Sequence, residues 1–179
     1  MEVFLNNYKK IVVNQEDKDS GCIPAGYEWI IRFAKIYDDN IINDIKLAGF
    51  QEEFNLFKNG LGANSFVPIR EAIQKKYPRI KIEIEEFKES NHGAEKIEFI
   101  KKLIRAQNPC LISVPVFKDS NFTGYHIMPI TGFNDNESTL FLCDPGDKIN
   151  YYKKTKFETI LNMHTDFEGG HDVSWLPLN

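Results

Sequence analysis

The chain has 179 residues, 42% of them apolar and 27% charged, and a formal net charge of −4. This length favours one domain with a real core, the acidic balance argues against a broad basic surface for nucleic acid or anionic lipid, and no apolar run reaches a membrane span. The start, MEVFLNNYKK, lacks the charged, apolar and small-residue order of a secretory signal, so the expectation is a single soluble domain over residues 1–179.

In chain order, Ile11-Val12-Val13 reads as a short strand and residues 15–21 (QEDKDSG) as a polar loop. Residues Pro24 to Tyr37 read as a helix whose polar residues, Glu28, Arg32 and Lys35, form one narrow stripe. A helix with so little polar surface belongs at the centre of its domain. Residues 41–58 suggest a second helix, ended by Asn59-Gly60 and the loop GLGANS, and Val67 to Tyr77 a third, stopped by Pro78. The alternation IKIEIEEF, Ile80 to Phe87, has the strand period. Glu95 to Ala106 reads as a helix and the apolar run Pro109 to Phe117 as a buried strand. Residues 125–146 hold two strand-like runs around the polar turn FNDNES, a hairpin signal. Tyr151-Tyr152 adds a strand, Lys156 to Met163 a short helix and Val173 to Leu178 a closing strand. Helices first and an antiparallel sheet after them indicate an α+β fold.

The residues that can do chemistry begin with Cys22. Three cysteines, an odd count without CxxC spacing, suit reduced thiols in a cytoplasm. Pro24 marks a first helical turn, so Cys22 stands at a helix N-terminus. The amides and dipole there stabilise an anion, and a thiol so placed becomes a better nucleophile. A lone cysteine at that point also serves as a small apolar anchor; a second group tips the balance. With the hairpin turn centred near Asp135, His126 faces Asp144 across two strands, where Cβ atoms lie about 5 Å apart. The carboxylate then orients the imidazole and stabilises its protonated form. Gln15, just upstream of the thiol, offers a side-chain amide to an oxyanion beside the backbone N–H of Cys22.

These residues resemble the papain-like cysteine peptidases, and within them the C39-like group. The resemblance rests on Gln15 before Cys22-Ile-Pro-Ala25, Gly62-Ala-Asn-Ser65 before a helix, the buried strand Leu111 to Val116, His126 followed by alternating apolar residues to Gly132, and Leu142-Cys-Asp-Pro145. It covers residues 11–150. It implies a papain-like fold, an N-terminal helical part with a central helix packed on an antiparallel sheet. It also implies Cys22 as nucleophile, His126 as base and then acid, Asp144 as the residue orienting the ring, and Gln15 in the oxyanion hole. The substrate class so implied is a peptide or protein; no cofactor or metal is called for. The family often has glycine after the cysteine, whereas Ile23 stands here and narrows the cleft.

Three other readings compete. The same scaffold with an amine acceptor is an acyltransferase or transamidase, and without turnover a peptide-binding domain. His164, His171 and nearby carboxylates form a cluster rich in metal-ligand types, although their spacing fits no common site. His92 reads as a loop residue before a helix, Cys110 and Cys143 read as core, and GLGANS lacks the lysine of a phosphate loop.

Overall fold

The structure, a computed structural model, describes residues 1–37, 45–59, 65–87, 92–166 and 171–178. Among them the chain forms β1 (Glu2–Phe4), a 3-10 turn (Tyr8–Lys10), α1 (Cys22–Tyr37), α2 (Phe50–Phe54), α3 (Phe66–Lys76) and β2 (Glu83–Glu85). It continues with α4 (Gly93–Arg105), β3 (Cys110–Lys118), β4 (Asn121–Asn134), β5 (Thr139–Cys143), β6 (Tyr152–Lys156), α5 (Phe157–Asp166) and β7 (Val173–Trp175). The strands make one antiparallel sheet in the order β2-β7-β3-β4-β5-β6, with β1 added to β4. The fold is α+β, although the helices do not simply precede the sheet: β1 comes from the N-terminus and β2 from between two helices. No helix among the described residues is long and apolar enough to cross a membrane.

Helix α1 is central, as its composition predicts. Every residue from Cys22 to Ala34 except Arg32 is buried, and Tyr27, Trp29, Ile30, Ile31 and Phe33 join one hydrophobic cluster with Leu111, Ile127 and Ile130 of the sheet. Glu28 departs from the expected solvent stripe. It is buried because Arg32, one turn later, holds its carboxylate at 2.6 Å and Gln51 of α2 donates to its other oxygen at 2.7 Å. Gly26 lets α1 approach the sheet: a Cβ there would lie 3.1 Å from both methyls of Leu111 and 3.4 Å from Ile127.

Several boundaries differ from the sequence reading. Ile11-Val12-Val13 is in no sheet. Ile11 and Val13 are buried and Val12 exposed, so the alternation is real, but the Val13 N–H donates to the Tyr151 hydroxyl at 3.1 Å rather than to a strand. Among the described residues of the helix expected over 41–58, only Phe50–Phe54 is regular, because Gly49 turns the chain through the left-handed region at φ +73°; residues 41–44 and most of GLGANS lie outside the described residues. Of Ile80 to Phe87 only Glu83–Glu85 pairs, since β7, its partner, offers three residues. The strand before the second hairpin is long: β4 has 14 residues and is joined to β3 by Asp119 and Ser120, with φ of 50° and 65°. Both turn residues therefore adopt the left-handed region favoured in tight hairpins, without the glycine that usually announces it.

One glycine admits the N-terminal strand to the sheet. A Cβ on Gly132 would stand 2.4 Å from the Phe4 ring and 2.5 Å from the Val3 carbonyl oxygen, closer than packed atoms tolerate. Gly132→Ala is expected to displace β1 and to lower stability by about 1–3 kcal/mol, measured as a drop in the urea midpoint with an unchanged far-ultraviolet spectrum.

Candidate active site

The loop before Cys22 is closed by local hydrogen bonds. Asp17 Oδ1 accepts from the N–H groups of Asp19 and Ser20 and from the Ser20 hydroxyl, each at 3.0 Å. The Gly21 N–H donates to the Asp17 carbonyl at 3.0 Å. A Cβ on Gly21 would lie 2.4 Å from that oxygen, so glycine is required for so tight a closure. Helix α1 then starts at Cys22, and its first helical bond runs from the Ala25 N–H to the Gly21 carbonyl at 3.1 Å. The sulfur is thus carried by the first residue of a buried helix.

His126 Nε2 and Asp144 Oδ1 are 2.7 Å apart. The route by which they meet differs from the expected one. The tip pairs Asn134 with Thr139, which centres the turn between Asn136 and Glu137 rather than at Asp135. On that register alone, Asp144 would fall on the opposite side of β4 from His126. The register shifts by one residue between Ile130 and Gly132, leaving Thr131 as an extra residue. Carried beyond Ile130–Leu142, the shifted register sets Asp144 level with Met128, on the same side as His126 and two residues along. The pair is diagonal, within reach of an imidazole and a carboxylate.

Asp144 is held from three directions. Oδ1 also accepts from the Gly146 N–H at 2.8 Å, and Oδ2 pairs with Lys153 Nζ at 3.0 Å. Lys153 in turn pairs with Asp147 at 3.0 Å. Burial works to raise the Asp144 carboxyl, but the His126 ring, the Lys153 ammonium and the Gly146 amide together hold it well below the usual carboxylate range. For His126, burial works to lower the ring; the Asp144 carboxylate and the neighbouring Cys22 thiol outweigh it and raise the ring to about 9. Nε2 is taken by Asp144, so Nδ1 is the nitrogen left for chemistry. Gly146 keeps the pair uncovered: a Cβ there would touch Asp144 Oδ1 and both His126 Cε1 and Nε2 at 3.3 Å.

Gln15 lies beside this pair in an open groove of about 1000 Å3 that is also lined by His126, Met128 and Ile149. Its backbone N–H donates to the Pro145 carbonyl at 2.9 Å. Its side-chain amide donates to the carbonyls of Asp17 and Lys18 at 3.1 and 2.9 Å, and its buried Oε1 has no partner among the described residues. On the other side of Cys22 is a smaller cavity of about 220 Å3, where Ile23, Phe66, Ser113, Tyr125 and Asp172 form walls. Ile23 is 2% exposed and lines that cavity. Cys110 and Cys143 are buried; burial pushes both thiols up, Cys143 to about 12. His92 precedes α4, its carbonyl accepting from the Lys96 N–H at 2.9 Å. Among the described residues no three His, Cys, Asp or Glu side chains gather as metal ligands; the His164 side chain lies outside that set.

Comparison with known families gives one decisive match. The model of the peptidase C39-like family aligns with residues 9–169. The chain belongs to this family. In this member of the family, the helix that begins at Cys22 packs against an antiparallel sheet. Among solved structures, UfSP from C. elegans is similar at 14% identity and a TM-score of 0.44. That alignment covers 98% of this C39-like chain and 33% of the other, so the chain spans about a third of that protein's length. No curated protein matches the sequence.

Two members of the site escape a reading of residue types. Gly146 had a signal, since it completes Asp144-Pro145-Gly146, a turn sequence. Lys153 had none: only the pairing of Leu142 with Lys153 brings β6 beside Asp144. The coupled pair gives a pH signature. His126, raised from 6.5 to about 9, contributes stability that is complete below 6.5 and lost as pH rises through about 9. Asp144, held below its ordinary 3.8, contributes stability above that value that is lost as pH falls beneath it. Urea unfolding of the wild type is therefore expected to show stability falling as pH rises through about 9. His126→Ala is expected to show little of that loss.

Proposed function

We propose that the protein is a thiol hydrolase that cleaves a peptide or amide bond through Cys22, His126 and Asp144. The observation that carries this reading is the His126–Asp144 pair at 2.7 Å, set beside a thiol at the first turn of a buried helix. The raised ring is protonated at neutral pH, and a protonated imidazole together with helix amides favours a thiolate. The thiolate adds to the substrate carbonyl, and His126 Nδ1–H passes its proton to the leaving amine as the carbon–nitrogen bond breaks. Neutral His126 then takes a proton from water, whose oxygen attacks the thioester; the acid leaves and the thiolate returns. Asp144 holds the ring in the required orientation throughout.

The oxyanion is assigned to the backbone N–H of Cys22 and the side-chain amide of Gln15. The amide of Gln15 rests on the Asp17 and Lys18 carbonyls, so one N–H must turn from them to meet substrate. Water as acceptor makes the enzyme a peptidase; an amine acceptor would make it a transamidase on the same residues. A cytoplasmic setting suits the three unpaired cysteines.

Two measurements test the assignment. With a small thioester or peptide substrate, Cys22→Ala is expected to abolish turnover and His126→Ala to lower it by about 10²–10⁴, with a smaller loss in Asp144→Ala. Alkylation of Cys22 by iodoacetamide, followed by mass spectrometry against pH, is expected to be fast well below the free-thiol pKa of about 8.5, and slow in His126→Ala. An ordinary thiol profile in both proteins would instead identify a peptide-binding domain.

A further inference from the structure

Cys22 and the His126–Asp144 pair come from opposite halves of the fold, and the segment Val13–Glu16 runs between them. On the sheet side, the Val13 N–H donates to Tyr151 Oη at 3.1 Å and the Gln15 N–H to the Pro145 carbonyl at 2.9 Å. Tyr151 also accepts, through its carbonyl, the Asp144 N–H at 2.7 Å. This segment is thereby fastened to Pro145, the residue after the triad acid, and to Tyr151, whose carbonyl holds the N–H of that acid.

On the helix side, one buried side chain makes the connection. Gln51 Nε2 donates to the Asn14 carbonyl at 3.0 Å and to Glu28 Oε2 at 2.7 Å, while Gln51 Oε1 accepts the Glu16 N–H at 2.9 Å. Gln51 therefore grips the residues before and after Gln15 and ties both to Glu28 of α1, the helix that begins at Cys22. Glu28 is 5% exposed and is itself fixed by Arg32, with the guanidinium at 2.6 and 2.7 Å. A second residue of the same region, Asn55, donates to Ser20 Oγ at 3.0 Å and steadies the far end of the loop.

We propose that Gln51, oriented by Glu28, is a positioning residue that sets the nucleophile against the His126–Asp144 pair. This rests on the thiol-hydrolase reading of the site. The physical ground is that every polar atom of the Gln51 carboxamide is committed inside the protein. A buried network of this kind with all members satisfied admits one arrangement, and removing one member leaves several donors and acceptors unpaired. The strut therefore transmits the placement of α1 through residues 14–16 to Pro145 and Asp144. Gln51 touches neither substrate nor thiol and acts only through this backbone.

The test is Gln51→Met, which keeps the length of the side chain and removes all three hydrogen bonds. Hydrogen exchange at the Gln15 amide, which reports its bond to Pro145, is expected to quicken by about tenfold, while the Ile112 amide of β3 stays protected. The iodoacetamide profile of Cys22 is expected to move toward that of a free thiol. Ile100→Val, a core change in α4 away from the network, serves as the stability control and is expected to lower the melting temperature without moving the profile. Should Gln51→Met fail to fold, Glu28→Gln, which keeps an acceptor for Gln51, is expected to give the same changes at reduced size. A folded variant in which the Gln15 amide remains protected, or in which the thiol profile is unchanged from an activated wild type, overturns the proposal. An ordinary thiol profile in the wild type overturns the hydrolase reading instead, and the strut is then judged by the Gln15 amide alone.

Discussion

The site depends on how closely α1 approaches the sheet. Gly26 lies four residues after Cys22, so the two share a face of the helix one turn apart. With no side chain at Gly26, Leu111 and Ile127 press directly on the helix backbone. Ile127 adjoins His126 in β4, and this contact therefore brings the strand carrying the imidazole to the end of the helix carrying the thiol. The apolar content of α1 is what makes the contact favourable. Trp29, Ile30, Ile31 and Phe33 remove large apolar surfaces from water, and that burial anchors the helix whose first residue is Cys22.

A second constraint is one of parity. Residues on a strand alternate sides, so a hairpin that joins an imidazole to a carboxylate must count correctly. Between Ile130 and Gly132 the pairing gains one residue, and this single irregularity decides that Asp144 and His126 share a side. Thr131, the residue so inserted, is itself employed: its carbonyl accepts the Leu5 N–H at 2.8 Å and its hydroxyl donates to the Phe141 carbonyl at 3.3 Å. The correction of register and the attachment of the N-terminal strand thus occur at one place. The sequence reading reached the right pair from a turn centre that was off. Its assumed sum of positions and the observed one beyond the bulge are both even, which preserves the side although the two residues stand diagonally rather than opposite.

The residues of the candidate site were legible because their chemistry is carried by type and by local context. A cysteine at a loop-to-helix junction, a histidine opening an apolar strand and Asp-Pro closing the next are recognisable without contacts. Residues that act by holding others were not. Gln51 sits in an acidic stretch, FQEEF, that reads as a solvated helix face, and Lys153 in a basic stretch, YKKTK, that reads as a surface strand. Their significance comes from distances of 2.7–3.0 Å to partners on other elements of the fold. Ile11 to Val13 shows the same limit from the other side. Its apolar alternation correctly reports burial, but burial does not say whether the backbone is met by a strand or by a tyrosine hydroxyl.

What the sequence by itself determined is the class of elements, the centrality of α1, the buried strand after Pro109, the hairpin and the candidate trio of cysteine, histidine and aspartate. Each follows from periodicity, turn chemistry or the character of a side chain, which are local. Tertiary structure alone decided the strand order, the bulge at Thr131, the shortening of α2 and β2, the burial of Glu28, and the ties through Gln51, Tyr151 and Lys153. These arise where segments from distant parts of the chain compete for the same hydrogen-bonding groups and the same space, and a local pattern carries no record of which partner prevails.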